Sequence, residues 1–528
     1  MISRLSRCLF LAVLGLLFGS QVMAQQHAGT TLRFIPHADV TNLDPYDVGA
    51  YITRNHGYMV YDTLFAMDSK FQPQPQMVDT WTVSDDKRTY TFTLRDGLKF
   101  HDGQPARAVD VVASLRRWGQ RNDAYGQALL AASTAIEPIN EKQFRIELVT
   151  PFPVLEALGT LSSPTPFILP ERLAKTDAFT QIREAIGSGP FKFVSEEWQP
   201  GHKVVYVKNP DYVPRKEPPN GAAGGKVVKV DRVEWLYIPD PNTAAQALRN
   251  GEVDYWENVP SDYVPTLIRD PNISIRLGQK LIRILRFNQL HPPFNNIKMR
   301  QAVLAVADQR DYMNAIAGDQ SNWRTCFSFY ACDGPEPNER GGQALSGPRD
   351  YEKAKRLIVE AGYTGERIVL LDATDIQQGH IGALVTNDLL KRLGLNVELV
   401  SAEWGTVLKR VNMRERIEQG GWSVITFGWG SYDMINPATN RGLRSSGLAG
   451  SPPGWPTDEK LEALRSSWFA AIDDSYRRDL EDQIQERAFE FVPYIPLGES
   501  IGRWAHRKNL VGVIDAPIPF LWNIETRE

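Results

Sequence analysis

From residue 368 to 427 the hydrophobic period switches repeatedly, reading strand (368–371), helix (381–393), strand (395–400), helix (404–413) and strand (422–427). Strands separated by helices are not hairpins, so this alternation predicts parallel strands with helical crossovers, an α/β lobe. A chain of 528 residues exceeds the size at which one core stops growing, so the lobe is only part of the molecule and two or three domains are expected. An amphipathic helix over 350–362 leads into it, with Tyr351, Ala354, Ile358 and Ala361 on one face and Gly362 as its stop.

The first 24 residues read as a secretory leader. Arg4 and Arg7 precede the apolar run Cys8 to Phe18, and Val22-Met23-Ala24 places small residues where a signal peptidase cuts, so cleavage is expected after Ala24. The apolar run is too short to span a bilayer, and Cys8 lacks the small-residue pattern that precedes a lipidated cysteine. The mature chain is therefore expected in the periplasm as a soluble protein. Cys326 and Cys332 are the only cysteines beyond the leader. An even pair in an oxidising compartment predicts a disulfide, and the lack of histidine between them argues against a metal clip. The formal net charge of −4, with no basic patch, gives no reason to expect nucleic acid.

Residues 90–111 are the most specific stretch. Tyr90, Phe92 and Leu94 alternate with Thr91, Thr93 and Arg95 in the period of a half-buried strand. Asp96-Gly97 and Asp102-Gly103 supply turns, and a helix begins near Pro105 and runs to 121. Further along stand Gly187-Ser188-Gly189-Pro190-Phe191 with Asn209-Pro210-Asp211-Tyr212, and then Ala247 to Asp254, where Gly251 stops a helix. Arg286-Phe287-Asn288, Pro292-Pro293-Phe294 and Arg300-Gln301-Ala302 complete the series. Taken in order, these stretches resemble the extracellular solute-binding proteins of family 5, which serve peptide and nickel importers.

That resemblance implies an α/β, two-lobed periplasmic-binding-protein fold of class II, peptide-binding type, with an extra α+β subdomain inserted in the first lobe. The core of the first lobe is expected at 30–59, 187–282 and 503–528, the inserted subdomain at 60–186 and the second lobe at 283–502. The function implied is capture of a small solute between the lobes and delivery to the membrane permease of an ATP-driven importer, by a monomer without a cofactor. A di- or oligopeptide is the leading ligand. A nickel chelate, an opine- or sugar-derived compound, haem, a chaperone or sensing role, and a secreted hydrolase on a similar scaffold stay open.

The residues themselves argue for a binder over an enzyme. There is no Gly-x-Ser-x-Gly, His-Glu-x-x-His, phosphate loop or Cys-x-x-Cys, and the eight histidines are scattered singly. Aromatic residues are abundant instead, with 13 Trp, 18 Tyr and 22 Phe, several at the ends of predicted strands, where open α/β sheets bind ligands. By the resemblance, Trp404 and Trp429 are cleft aromatics, while Arg54, His56 and Tyr125 reach the cleft from the first lobe and its insertion. His56 would make affinity pH-dependent if it lined the site. Tyr58 shares helical spacing with Tyr61 and Phe65 and reads as core.

One departure concerns selectivity. Oligopeptide binders carry an amine-binding aspartate three residues beyond the aromatic, where this chain has Tyr432, with Asp433 one place later; the family's arginine three residues before it is Thr426 here. A one-residue loop shift would bring Asp433 to the amine; equally, the amine site is absent.

Overall fold

The computed structural model describes residues 30–335 and 337–527; the leader expected over residues 1–24 lies outside them. An 11-stranded mixed sheet runs through the whole molecule. One end holds Val397–Ala402, Ile368–Ala373 and Val424–Gly430, paired parallel in that order. Helices Gln377–Arg392 and Trp404–Val411 are the crossovers that the alternating periods predicted. The other end holds Thr31–Ile35, parallel to both Arg232–Leu236 and Tyr255–Trp256, with Pro241–Asn250 as its crossover helix. Asp240 caps that helix by accepting from the Thr243 amide, and Gly251 ends it in the left-handed region at φ 78°.

Two long antiparallel strands, Ile273–Phe287 and Tyr494–Arg507, join these ends into one sheet. Their pairing slips between Leu277 and Lys280 and again between Ile282 and Ile284. At the first slip a side chain on Gly278 would sit 2.6 Å from the Trp504 ring, and one on Gly502 would sit 2.8 Å from the Gln279 carbonyl oxygen. Glycine is therefore required at this slip, where the ladder of the two strands is irregular.

A separate four-stranded antiparallel sheet, ordered Val78–Val83, Thr89–Leu94, Gln143–Leu148 and Ser133–Pro138, packs under helix Ala108–Arg121. It contains the strand of the 90–111 stretch, and the helix expected from near Pro105 begins at Ala108. Tyr90, Phe92 and Leu94 are the buried face, as their alternation predicted, and Phe92 stacks on Phe144 at 4.9 Å. The turn after it is tied to the next sequence landmark: the His101 amide donates to the Gly187 carbonyl (2.8 Å) and its imidazole meets the Gly189 carbonyl (3.2 Å).

The Pro- and Gly-rich segment 214–226 ends inside the protein. Residues 221–226 are buried because the Lys226 ammonium pairs with the Asp62 carboxylate at 2.7 Å, both side chains almost wholly enclosed. The C-terminal segment returns to the first lobe, where Trp522 stacks on Phe520 (4.5 Å) and Phe520 meets Tyr58 (5.1 Å).

Cys326 and Cys332 form the expected disulfide. The loop it closes is held by Gln309, whose amide nitrogen donates to the Cys326 carbonyl (2.7 Å) and whose oxygen accepts from the Cys326 amide (2.6 Å). Loop-closure entropy for so short a ring is worth about 2 kcal/mol. The double variant Cys326→Ser/Cys332→Ser is expected to lose that amount, read as a lower urea midpoint; an unchanged midpoint would mean that Gln309 alone holds the loop.

Candidate functional site

The helix Tyr51–Val60 puts Tyr51 and Arg54 one turn apart on one face. That face looks across to the short helical turn Ser431–Met434, which follows strand Val424–Gly430 on the second lobe. Between them lies Asp433, buried. One carboxylate oxygen accepts from the Tyr51 hydroxyl (2.5 Å) and the other from the Ser162 hydroxyl of the inserted subdomain (2.6 Å). The Tyr51 oxygen also accepts from the Gly430 amide (2.9 Å). Burial pushes the Asp433 carboxyl above the usual carboxylate range, against the pull of Arg54 and the two hydroxyls.

Arg54 lies over the Tyr51 ring at 4.7 Å and the Tyr432 ring at 4.6 Å, and donates to the Asn55 side chain and the Leu161 carbonyl. Tyr432 is buried, and its hydroxyl accepts from the Gln279 amide (2.8 Å) on the strand that joins the lobes. Arg54, Tyr432 and Asp433, picked from sequence, thus come together. Tyr51 and Ser162 were missed. Tyr51 was legible as the residue one helical turn before Arg54; nothing in the sequence marks Ser162.

Two further bridges tie the inserted subdomain to the second lobe. Arg441 holds Asp123 through Nε (2.8 Å) and Nη2 (2.7 Å), and Arg444 donates to the Asp123 carbonyl and to Gln127. Arg477 forks onto Glu156 (2.8 and 3.0 Å), beside Tyr125, whose hydroxyl accepts from Asn436 (2.9 Å). Tyr125 is therefore a buried part of this bridge. It sits beside a groove of about 500 Å³ lined by Phe152, Glu156, Asn436, Trp468 and Arg477.

The two tryptophans occupy different places. Trp429, partly exposed, meets Phe427 edge-on (5.1 Å) and Tyr494 (5.9 Å), with the Arg286 guanidinium over its ring at 5.2 Å. Trp404, also partly exposed, starts its helix with its amide donating to Asp375 (2.7 Å), and packs on the cluster of Val407, Trp422 and Phe427.

His56 requires a correction. It points away from Tyr51 and Arg54 into the first-lobe core, fully buried, with Nδ1 2.8 Å from the Tyr206 hydroxyl and its ring edge-on to Phe193. Two residues along a helix turn the side chain to the opposite face. Burial lowers its pKa to about 3, so it is neutral and does not tune affinity. Its linkage to stability has a definite sign. Between pH 6.5 and about 3 the unfolded chain binds a proton that the folded one refuses, so stability falls as pH falls through that window. His56→Gln is expected to flatten the stability-versus-pH slope there by up to one proton, about 1.4 kcal/mol per unit. Urea midpoints from pH 8 to 5 measure it, and identical slopes in the two proteins would refute it.

The cluster Ser401, Asp372 and His380 does not form a nucleophile. Both Ser401 (2.6 Å) and His380 (2.8 Å) bond to the Asp372 carboxylate, so no base faces the serine hydroxyl. Among the described residues no group of three or more His, Cys, Asp or Glu is placed to hold a metal ion.

Two α/β lobes strung on shared strands, with buried polar groups of one bonded to those of the other, are the architecture of a two-lobed binding protein. The chain belongs to the bacterial extracellular solute-binding proteins, family 5: the family model described as "Bacterial extracellular solute-binding proteins, family 5 Middle" matches residues 72–448. A relative from Sinorhizobium fredii, described as a probable peptide ABC transporter periplasmic-binding protein, is 39% identical over 488 residues, covering 91% of each chain. The dipeptide-binding protein DppE of Bacillus subtilis is 23% identical, covering 88% of this chain and 85% of that one. Among solved structures, the agropinic-acid complex of AgaA from A. tumefacien R10 superposes with TM-score 0.78 at 22% identity, covering 94% of this chain and 99% of that one. The Met-Leu complex of a Pseudoalteromonas dipeptide-binding protein gives 0.76 at 20%, covering 94% and 100%. At these identities the two structures speak for the fold.

Proposed function

We propose that this chain is the periplasmic capture component of an ATP-driven importer and that it closes on a short peptide at the contact centred on Asp433. The observation that carries closure is Asp433 itself: a buried carboxylate of the second lobe whose two oxygens are taken by hydroxyls from the first lobe and its insertion. Tyr51, bonded to it, and Trp429, on the preceding strand, are partly exposed, which suits an apolar or peptidic ligand. A ligand stabilises the closed form only by contacts it makes there and not in the open form. The peptide assignment is supported by the Sinorhizobium relative, described as a probable peptide ABC transporter periplasmic-binding protein. The lobes are assigned as the sequence reading has them, the leader is removed after Ala24, and the mature protein works as a monomer that docks on its permease.

Trp404, Trp429, Tyr432, Asp433, Arg54 and Tyr125 are the residues assigned to ligand or to the closing contact; His56, buried against Tyr206, is not among them. Asp433 is assigned to closing the lobes, because its oxygens are already engaged. Native mass spectrometry of the protein purified from its own periplasm tests the function. A retained mass that fragments as a peptide is the expected result, and a non-peptide mass would overturn the peptide assignment while leaving capture intact.

A further inference from the structure

The loop closed by Cys326 and Cys332 lies against the turn that bears Asp433. The Ala331 amide donates to the carbonyl of Met434, the residue after Asp433, at 2.8 Å. The other end of the turn is tied to the same loop through charge. Asp333, next to Cys332, pairs with Lys280 and Arg324, and Arg324 also pairs with Glu499. Glu499 is fully buried and accepts from the Ser431 hydroxyl at 2.6 Å. The turn Ser431–Met434 is therefore held at both ends, and both holds lead back to residues flanking Cys332. The loop itself is anchored unevenly. Gln309 fixes Cys326 through both its carbonyl and its amide, and Gln485 holds the middle by accepting from the Phe329 amide (2.9 Å). The disulfide carries the Gln309 anchorage across to Cys332, so opening it frees the end of the loop that bears on Met434.

We infer that Cys326 and Cys332 are positioning residues for ligand capture: their bridge sets the turn Ser431–Met434 so that Asp433 meets Tyr51 and Ser162. Those two bonds, at 2.5 and 2.6 Å, weaken steeply as length and angle drift, so a small displacement of the turn is felt in closure. The Phe329 carbonyl offers a contrast within the same loop. It accepts from the Asn440 side chain (2.6 Å), which in turn accepts from the Gly442 amide (3.0 Å), and Gln485 keeps that end in place without the bridge. The inference rests on the capture reading above but not on the ligand being a peptide.

The test uses the full mature chain carrying Cys326→Ser/Cys332→Ser. Without ligand, hydrogen–deuterium exchange over the turn Ser431–Met434 is expected to quicken about tenfold more than at the Gly442 amide, whereas a general loss of stability would move both alike and overturn the inference. With a pool of Ala-Xaa dipeptides as probe, the variant should bind about tenfold more weakly than the wild-type protein, the worth of one charge-assisted bond. On an Asp433→Ala background the same change should cost no more than about twofold, because the turn then presents nothing to position. Unchanged affinity, or an equal loss in both backgrounds, would overturn the inference while leaving peptide capture standing. If the pool does not bind the wild-type protein, the peptide assignment fails and the exchange comparison decides. Should the double variant not fold, the same comparisons are made on folded wild-type protein treated with dithiothreitol. This dithiol passes two electrons and two protons to the sulfurs and closes to its own cyclic disulfide, and Cys332 is partly exposed to it.

Discussion

Replacing Asp433 by alanine is expected to weaken ligand capture about a hundredfold while leaving the melting temperature of the ligand-free protein nearly unchanged. The two hydrogen bonds from Tyr51 and Ser162 are charge-assisted and cross from one lobe to the other, so they contribute only when the lobes meet. Bonds to a charged group are worth about 1.5–3 kcal/mol each, and every 1.4 kcal/mol is tenfold in affinity. Part of the gross sum is returned because both hydroxyls are hydrated in the open form, which leaves a net near two decades. The loss also strands Arg54, whose nearby opposite charge is Asp433. Asp433→Asn keeps the shape and one acceptor and should fall in between. Calorimetric titration with the retained ligand measures the affinities, and small-angle scattering reports whether the variant still closes. Unchanged affinity would move the closing contact elsewhere, to the Arg441–Asp123 and Arg477–Glu156 bridges.

The largest stability effect is expected at Lys226. Lys226→Met removes the cation from a pair whose side chains are 0% and 1% exposed, and leaves the Asp62 carboxylate enclosed with only the Tyr212 hydroxyl (3.0 Å) and the Thr63 amide (3.0 Å). Breaking one side of a buried pair costs about 3–5 kcal/mol, whereas replacing both sides with apolar groups is often neutral. Lys226→Met is therefore expected to lower the melting temperature by roughly 3–5 °C, and Lys226→Met/Asp62→Leu to recover most of it. A double variant as unstable as the single one would show that Asp62 matters for its hydroxyl and amide partners and not for the charge.

Much of the architecture was legible before any coordinates. The strand at 90–94, the helix stopped by Gly251, the crossover units from 368 onward and the Cys326–Cys332 pair all follow from local period, turn chemistry and redox context, which act over a few residues. The site was legible only in part. Arg54, Tyr432 and Asp433 were picked out and lie together, but Asp433 meets Tyr51, 382 positions away, and such a partner leaves no local trace. His56 was misread because sequence neighbours on a helix face opposite ways, and only the packing of strands Phe191–Phe193 and Lys203–Lys208 shows which way is inward. Lys226 likewise carries no local mark of its partner Asp62, 164 positions away.

By itself, then, the sequence determined the elements, the class of fold and the family, because these depend on patterns that repeat along the chain. The tertiary structure alone decided what each polar group near the closing contact does. Two long strands bring residues from distant parts of the chain together, and there Asp433 becomes a tie between lobes and His56 a core residue. The physical reason is that burial and pairing set the behaviour of a charged side chain, and both are properties of the fold around it.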